Sequence, residues 1–203
     1  MSCTSCTKIA IWYSFFPLSF HHEDFYKLSI QHNGSLALWA LSKLVRQVTG
    51  IELQERDLGK LASGKPYFIG SLADFYPSIS YANGWCAVAL SKINIGIDLE
   101  SNSRLSGWEY KVNYLAGRTL IEKSNTPVAA WVKLEAIIKL VGGSISSNIT
   151  DIESIPTTTD SNWRPIHWLP TGDRFWVRHI SAPHGCWAAL AAHAPTAVFN
   201  ITI

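Results

Sequence analysis

Three carboxylates and one lysine are spaced so that folding would bring them together. Asp98 and Glu100 lie in a run where Ile93, Ile95, Ile97 and Leu99 alternate with Asn94, Gly96, Asp98 and Glu100. Side chains on a strand repeat every two residues, so Asp98 and Glu100 project from one face. Adjacent carboxylates repel, and a bound cation is the usual way to keep both ionised. Glu135 and Lys139 share a helical face at i, i+4 in the segment Trp131-Val132-Lys133-Leu134-Glu135-Ala136-Ile137-Ile138-Lys139. Apart from Lys133, Glu135 and Lys139, every residue from Val128 to Val141 is apolar. Such a helix is expected to be buried, and buried charges need partners. Glu135 beside Asp98 and Glu100 would complete an oxygen-rich site of the kind magnesium takes.

The elements that must position these groups follow from pattern. Lys8 to Phe16 reads as a strand and His22 to Ile30 as a short helix. Ser35 to Val48 is a stronger helix, since Leu36, Trp39, Ala40, Lys43, Leu44 and Gln47 follow its period, and Gly50 ends it. A polar connection from Gln54 to Gly64 leads into Lys65-Pro66-Tyr67-Phe68. Asn83-Gly84 marks a two-residue hairpin between Ser78–Ala82 and Trp85–Ser91, with a third strand through Glu100. Trp108 to Lys123 and Pro127 to Val141 read as helices, the second started by Pro127 and ended by Gly142-Gly143. Residues 144–162 are rich in Ser, Thr and Asp and read as loop or irregular strand. Trp163 to Leu169, Arg174 to Ile180 and Cys186 to Ala192 read as a closing antiparallel sheet. The fold class is therefore α+β in two layers.

Composition bounds the partners. The 203 residues are 47% hydrophobic and 16% charged, with nine Trp, which implies extensive burial or an apolar binding surface. A formal charge of +2 without any basic cluster speaks against nucleic-acid binding. No apolar run approaches a transmembrane span, and Pro17 interrupts the apolar start, so no membrane, no signal peptide and a cytoplasmic setting are expected. Cys3 and Cys6 have metal-ligand spacing but no second Cys or His pair at finger spacing; Cys86 and Cys186, each beside a Trp, read as small core residues. His21, His22, His167, His179 and His184 show no ligand spacing.

Gly96-Ile97-Asp98-Leu99-Glu100 and Trp131…Glu135-Ala136…Lys139 resemble the G-I-D-x-E and W-x-x-x-E-A-x-x-K signature of the Sfp-type 4′-phosphopantetheinyl transferases. Ser63-Gly64-Lys65-Pro66 and Ser78-Ile79-Ser80-Tyr81-Ala82-Asn83-Gly84-Trp85 resemble two further blocks of that family, in its order. The likeness covers roughly residues 60–143. It implies two similar α+β halves, pseudo-twofold related, with the active site between them; the boundary falls near residue 100, giving halves 1–100 and 101–203. It implies transfer of the 4′-phosphopantetheine arm of coenzyme A to a serine of an apo acyl or peptidyl carrier protein, with release of 3′,5′-ADP and with Mg2+ bridging the pyrophosphate. On this resemblance Asp98, Glu100 and Glu135 are metal ligands, Glu135 takes the serine proton and Lys139 neutralises the transferring phosphoryl group. Ser63, Gly64, Lys65 and Pro66 cradle the adenine end of coenzyme A, and Ser80 and Tyr81 face phosphate. A monomer would suffice for such an architecture.

Read without the resemblance, the same residues have plainer roles: solvated carboxylates at a strand end, an i, i+4 salt bridge, a loop lysine, a polar strand serine. Two positions depart from the family pattern. Tyr81 stands where a His is usual, and Leu134 where a Lys directly precedes the helix Glu. Lys133 is about 100° away around the helix axis and does not replace it. Basic residues near the first helices are limited to Lys27, Lys43 and Arg46. The rival expectation is a homologue that binds coenzyme A or a carrier protein without efficient transfer; a more distant one is a metal-dependent hydrolase.

Overall fold

The computed structural model describes residues 9–17, 36–103, 127–143, 152–154 and 162–202. The helices expected at 22–30 and 108–123, the Cys3–Cys6 pair, His21, His22, Lys27 and most of the segment 144–162 lie outside them.

Among the described residues the class is α+β, as expected. Strand β1 (Ala10–Pro17) is followed by helix α1 (Leu36–Thr49), a short ribbon of β2 (Leu58–Lys60) and β3 (Pro66–Phe68), and the hairpin β4 (Tyr76–Ala82) and β5 (Trp85–Ser91). Then come β6 (Ile95–Ser101), helix α2 (Pro127–Val141) and strands β7 (Ile152–Ser154), β8 (Arg164–Trp168), β9 (Asp173–Ile180), β10 (Cys186–Ala192) and β11 (Ala197–Asn200). Asn83 and Gly84 both have positive φ, 48° and 74°, as the tight hairpin turn requires. Gly142 at φ 74° ends α2, and the Gly143 N–H reaches back to the Ile138 carbonyl at 3.1 Å.

Two main sheets form, ordered β11-β1-β5-β4 and β6-β10-β9-β8-β7. Pairing is antiparallel apart from the parallel β1–β11 contact. Helix α1 buries Leu38, Leu41, Leu44 and Val45 against Cys86, Val88 and Leu90 of β5. The other face of β5, with Ala87 and Ala89, packs against Ile95, Ile97 and Leu99 of β6 and Ala188 and Leu190 of β10. Helix α2 closes the far face of the second sheet, setting Val132, Ala136, Ile137 and Leu140 on Ala189, Ala191, Val177 and Ile166. The period of two on β5 and β10 thus supplies one face to a helix and one to the other sheet.

The strand through Glu100 does not extend the hairpin sheet. β1 occupies the free edge of β5, and β6 crosses to pair with β10. Ser91 pins the bend between β5 and β6: its hydroxyl donates to the Ala10 carbonyl at 2.8 Å and accepts the Ile93 N–H at 3.3 Å. Sheet membership crosses residue 100 in both directions, since β6 joins β7–β10 and β11 joins β1. The polar connection from Gln54 carries the β2–β3 ribbon, and Cys186 is half-buried where a core thiol was expected, whereas Cys86 is fully enclosed. No helix of the described residues is long and apolar enough to cross a membrane.

Candidate functional site

All seven residues of β6 are buried, which alternation alone does not require. Ile95, Ile97 and Leu99 face the other sheet; Gly96, Asp98 and Glu100 face α2. Gly96 makes this possible. A β-carbon there would collide with the Ala136 carbonyl and crowd the Leu140 nitrogen, so the helix rests directly on the strand backbone. Asp98 and Glu100 are thereby left only 4% and 3% exposed.

Lys139 answers the buried Asp98. Its Nζ donates to Asp98 Oδ1 at 2.7 Å, to Ser80 Oγ at 2.8 Å and to the Ile79 carbonyl at 3.3 Å. Ser80 Oγ in turn donates to Asp98 Oδ1 at 2.8 Å, so the three side chains close a triangle. Burial pushes the Asp98 carboxyl above its ordinary value, while the Lys139 charge and the hydrogen bonds from Lys139 and Ser80 pull it part of the way back. Glu100, opposite Trp187 in the β6–β10 register, accepts the Ser101 N–H on Oε1 at 2.8 Å. Glu135 is half-buried one turn before Lys139.

Ser78, two residues before Ser80 and on the same face of β4, accepts the Ile97 N–H at 2.9 Å. Two serine hydroxyls therefore join the edge strand of one sheet to the edge strand of the other, where a backbone ladder is absent. The Ser-x-Ser spacing was legible in the sequence, but only the partner strand gives Ser78 its task.

The other anticipated residues divide. Ser63 and Gly64 sit at the exposed tip of the ribbon, Gly64 at φ 84°, and Pro66 opens β3. Lys65 turns inward to Asn94, Ile95 and Leu140. Ile95 and Asp98 are three residues apart along β6, so the Lys65 contact is about 10 Å along the strand from the triangle. Tyr81 follows Ser80 directly and so projects from the opposite face of β4, opposite Cys86 in the register. The residue is 44% exposed, yet partial burial raises its hydroxyl above the ordinary range, and burial pushes the Cys86 thiol up to about 12. Leu134 is buried in the core under α2.

A histidine and a tryptophan border the carboxylates. His179 stands opposite Ala189, the residue that pairs with Asp98, and its ring lies 5.3 Å from that of Trp187. Burial and the Lys133 charge hold His179 below the usual imidazole value. Among the described residues, no group of three or more His, Cys, Asp or Glu stands together as a ready cation cage. The arrangement is two buried carboxylates on one strand, with Glu135 and Lys139 on the helix above. No protein-family model matches this chain, and no curated protein does.

Proposed function

We propose that the chain is a magnesium-dependent phosphopantetheinyl transferase of the Sfp type, acting on coenzyme A and an apo acyl or peptidyl carrier protein. The observation that carries this reading is the Ser80–Asp98–Lys139 triangle. Its members come from three segments that resemble the family, and they meet although up to 59 residues apart. In the reaction the carrier serine oxygen attacks the β-phosphorus in line, and the bond from phosphorus to the departing 3′,5′-ADP oxygen breaks. Lys139 supplies positive charge to the phosphoryl oxygens, and Glu135 takes the serine proton.

Magnesium, when bound, neutralises pyrophosphate charge. It accepts one or two carboxylates plus phosphate oxygens and water, so the paired hard-oxygen donors Asp98 and Glu100 fit it without a closed protein cage. Asp98 and Glu100 would hold the ion, and Glu135, which does not stand in one cluster with them here, would join as a third donor only with the ion and pyrophosphate bound. Two pseudo-equivalent halves, 1–100 and 101–203, with the site between them, a cytoplasmic setting and a monomeric state belong to the same proposal.

A second reading, a homologue that binds coenzyme A or a carrier without efficient transfer, draws on two positions. Tyr81 faces away from Ser80, and Leu134 is core, so two cationic contacts usual in the family are missing. An intact-mass assay with coenzyme A, magnesium and a panel of apo carrier proteins separates the readings. The transferase adds one phosphopantetheine arm, and EDTA or any of Asp98→Ala, Glu100→Ala and Glu135→Ala abolishes the shift. Coenzyme A binding with no shift on any carrier would establish the second reading.

A further inference from the structure

The last turn of a helix leaves carbonyls without intrahelical partners. At the end of α2 the Leu140 carbonyl is taken by two side chains, Lys65 Nζ at 2.9 Å and Asn94 Nδ2 at 2.8 Å. The same ammonium donates to Asn94 Oδ1 and to the Ile95 carbonyl at 3.2 Å. Its donors thus reach the exit of α2 and the entry of β6 together. The helix C-terminus carries partial negative charge, which favours an ammonium there. The ribbon tip also lies over the helix end, since a β-carbon on Gly142 would stand 3.6 Å from Ser63 Oγ. Lys139 is the residue directly before Leu140, and Gly96, directly after Ile95, is where the helix rests on the strand.

From this geometry we infer that Lys65 is a positioning residue: with Asn94 it clamps the C-terminal turn of α2 to the start of β6 and so sets where Lys139 stands relative to Asp98 and Ser80. The Ser63–Pro66 segment is then the cap of α2, and Lys65 does not serve a phosphate. The kinetic consequence rests on the transferase reading; the structural consequence does not. Burial lowers the Lys65 ammonium to about 8, which agrees with an enclosed side chain.

The test compares Lys65→Met, Lys65→Arg and Asn94→Ala by hydrogen exchange, coenzyme A calorimetry and transfer kinetics. A clamp makes the Gly142 and Gly143 amides exchange about tenfold faster or more in Lys65→Met and Asn94→Ala, with the double variant little worse than either single one. Coenzyme A affinity stays within about twofold, while kcat falls about tenfold or more at unchanged KM, because the loss lies in placing Lys139. Lys65→Arg behaves like Lys65→Met, since a planar fork does not reproduce three acceptors around one nitrogen. The inference is overturned if exchange is unchanged, or if coenzyme A binds about tenfold more weakly to Lys65→Met and Lys65→Arg restores it, as a phosphate contact would. If the wild-type protein transfers nothing, the transferase reading fails by itself, and exchange with the Lys65–Asn94 coupling still decides the clamp.

Discussion

Lys139 Nζ stands 2.7 Å from Asp98 Oδ1, and Ser80 Oγ lies 2.8 Å from both atoms. A carboxylate 4% exposed is thus held by one cation and one hydroxyl from two different elements. Lys139→Met should cost about 2 kcal/mol, less than for a fully enclosed pair because Lys139 is partly exposed. Adding Asp98→Asn should recover most of it in urea denaturation, because the stranded charge is removed. The pH dependence has a definite sign. A carboxyl raised in the folded state contributes stability that is fully present below its unfolded value of 3.8 and is lost as pH rises through the folded value. Lys139→Met removes the charge that pulls Asp98 down, so the loss should extend to higher pH than in wild type. Equal losses across pH 4 to 8 would refute the pairing.

Gly96 is the second point of control. Gly96→Ala drives a methyl group into the backbone of α2 at Ala136 and Leu140, where no flexible side chain can give way. Helix and strand must separate, at a cost of about 3 kcal/mol on the scale of overpacked cores. The chain should unfold at markedly lower urea and, on the transferase proposal, transfer should fall further than stability accounts for. A variant with wild-type stability would show that the close approach is not required.

The two departures from the family pattern are not equally repairable. Tyr81→His changes a half-exposed side chain on the face away from Ser80, so stability should move by less than about 1 kcal/mol and coenzyme A affinity by less than about twofold. Leu134→Lys instead inserts an ammonium where 3% of the residue is exposed and should destabilise by about 3 kcal/mol or more. Calorimetry on each variant checks both statements; a tenfold gain in coenzyme A affinity from Tyr81→His would place that side chain at the ligand after all.

Lys65 gives a prediction at alkaline pH. Its ammonium, lowered from 10.5 to about 8 by burial, loses its proton earlier in the folded chain than in the unfolded one. Between those values the unfolded state binds more protons, so this group makes folding more favourable as pH rises above about 8. Cys86 and Cys186, raised by burial, act in the opposite sense once pH approaches their ordinary value of 9.0, and Tyr81 does so past 10.0. Denaturation between pH 7.5 and 8.5, below the range where the thiols act, should therefore show a rise that Lys65→Met abolishes. The same slope in both proteins would exclude Lys65 as its source.

Much of the architecture is written in local pattern. The Asn83-Gly84 turn, the Pro127 start and Gly142 stop of α2, the closing strands β8 to β10 and the shared face of Asp98 and Glu100 need only steric preferences and the periods of strand and helix. Tertiary structure decided what covers each face. A strand with one apolar and one acidic face was legible; that both faces of β6 are buried depends on a helix resting on Gly96 and on an edge strand brought beside it from the hairpin. Ser80 and Tyr81 are neighbours in a motif, yet the pleat sends one to Asp98 and the other to the opposite face of the sheet. Lys65 is identical in sequence to any loop lysine, and only long-range packing brings the Leu140 carbonyl, 75 residues on, within its reach. Local sequence states which side chains share a face; which buried charge meets which partner depends on contacts between distant segments, and no local rule encodes them.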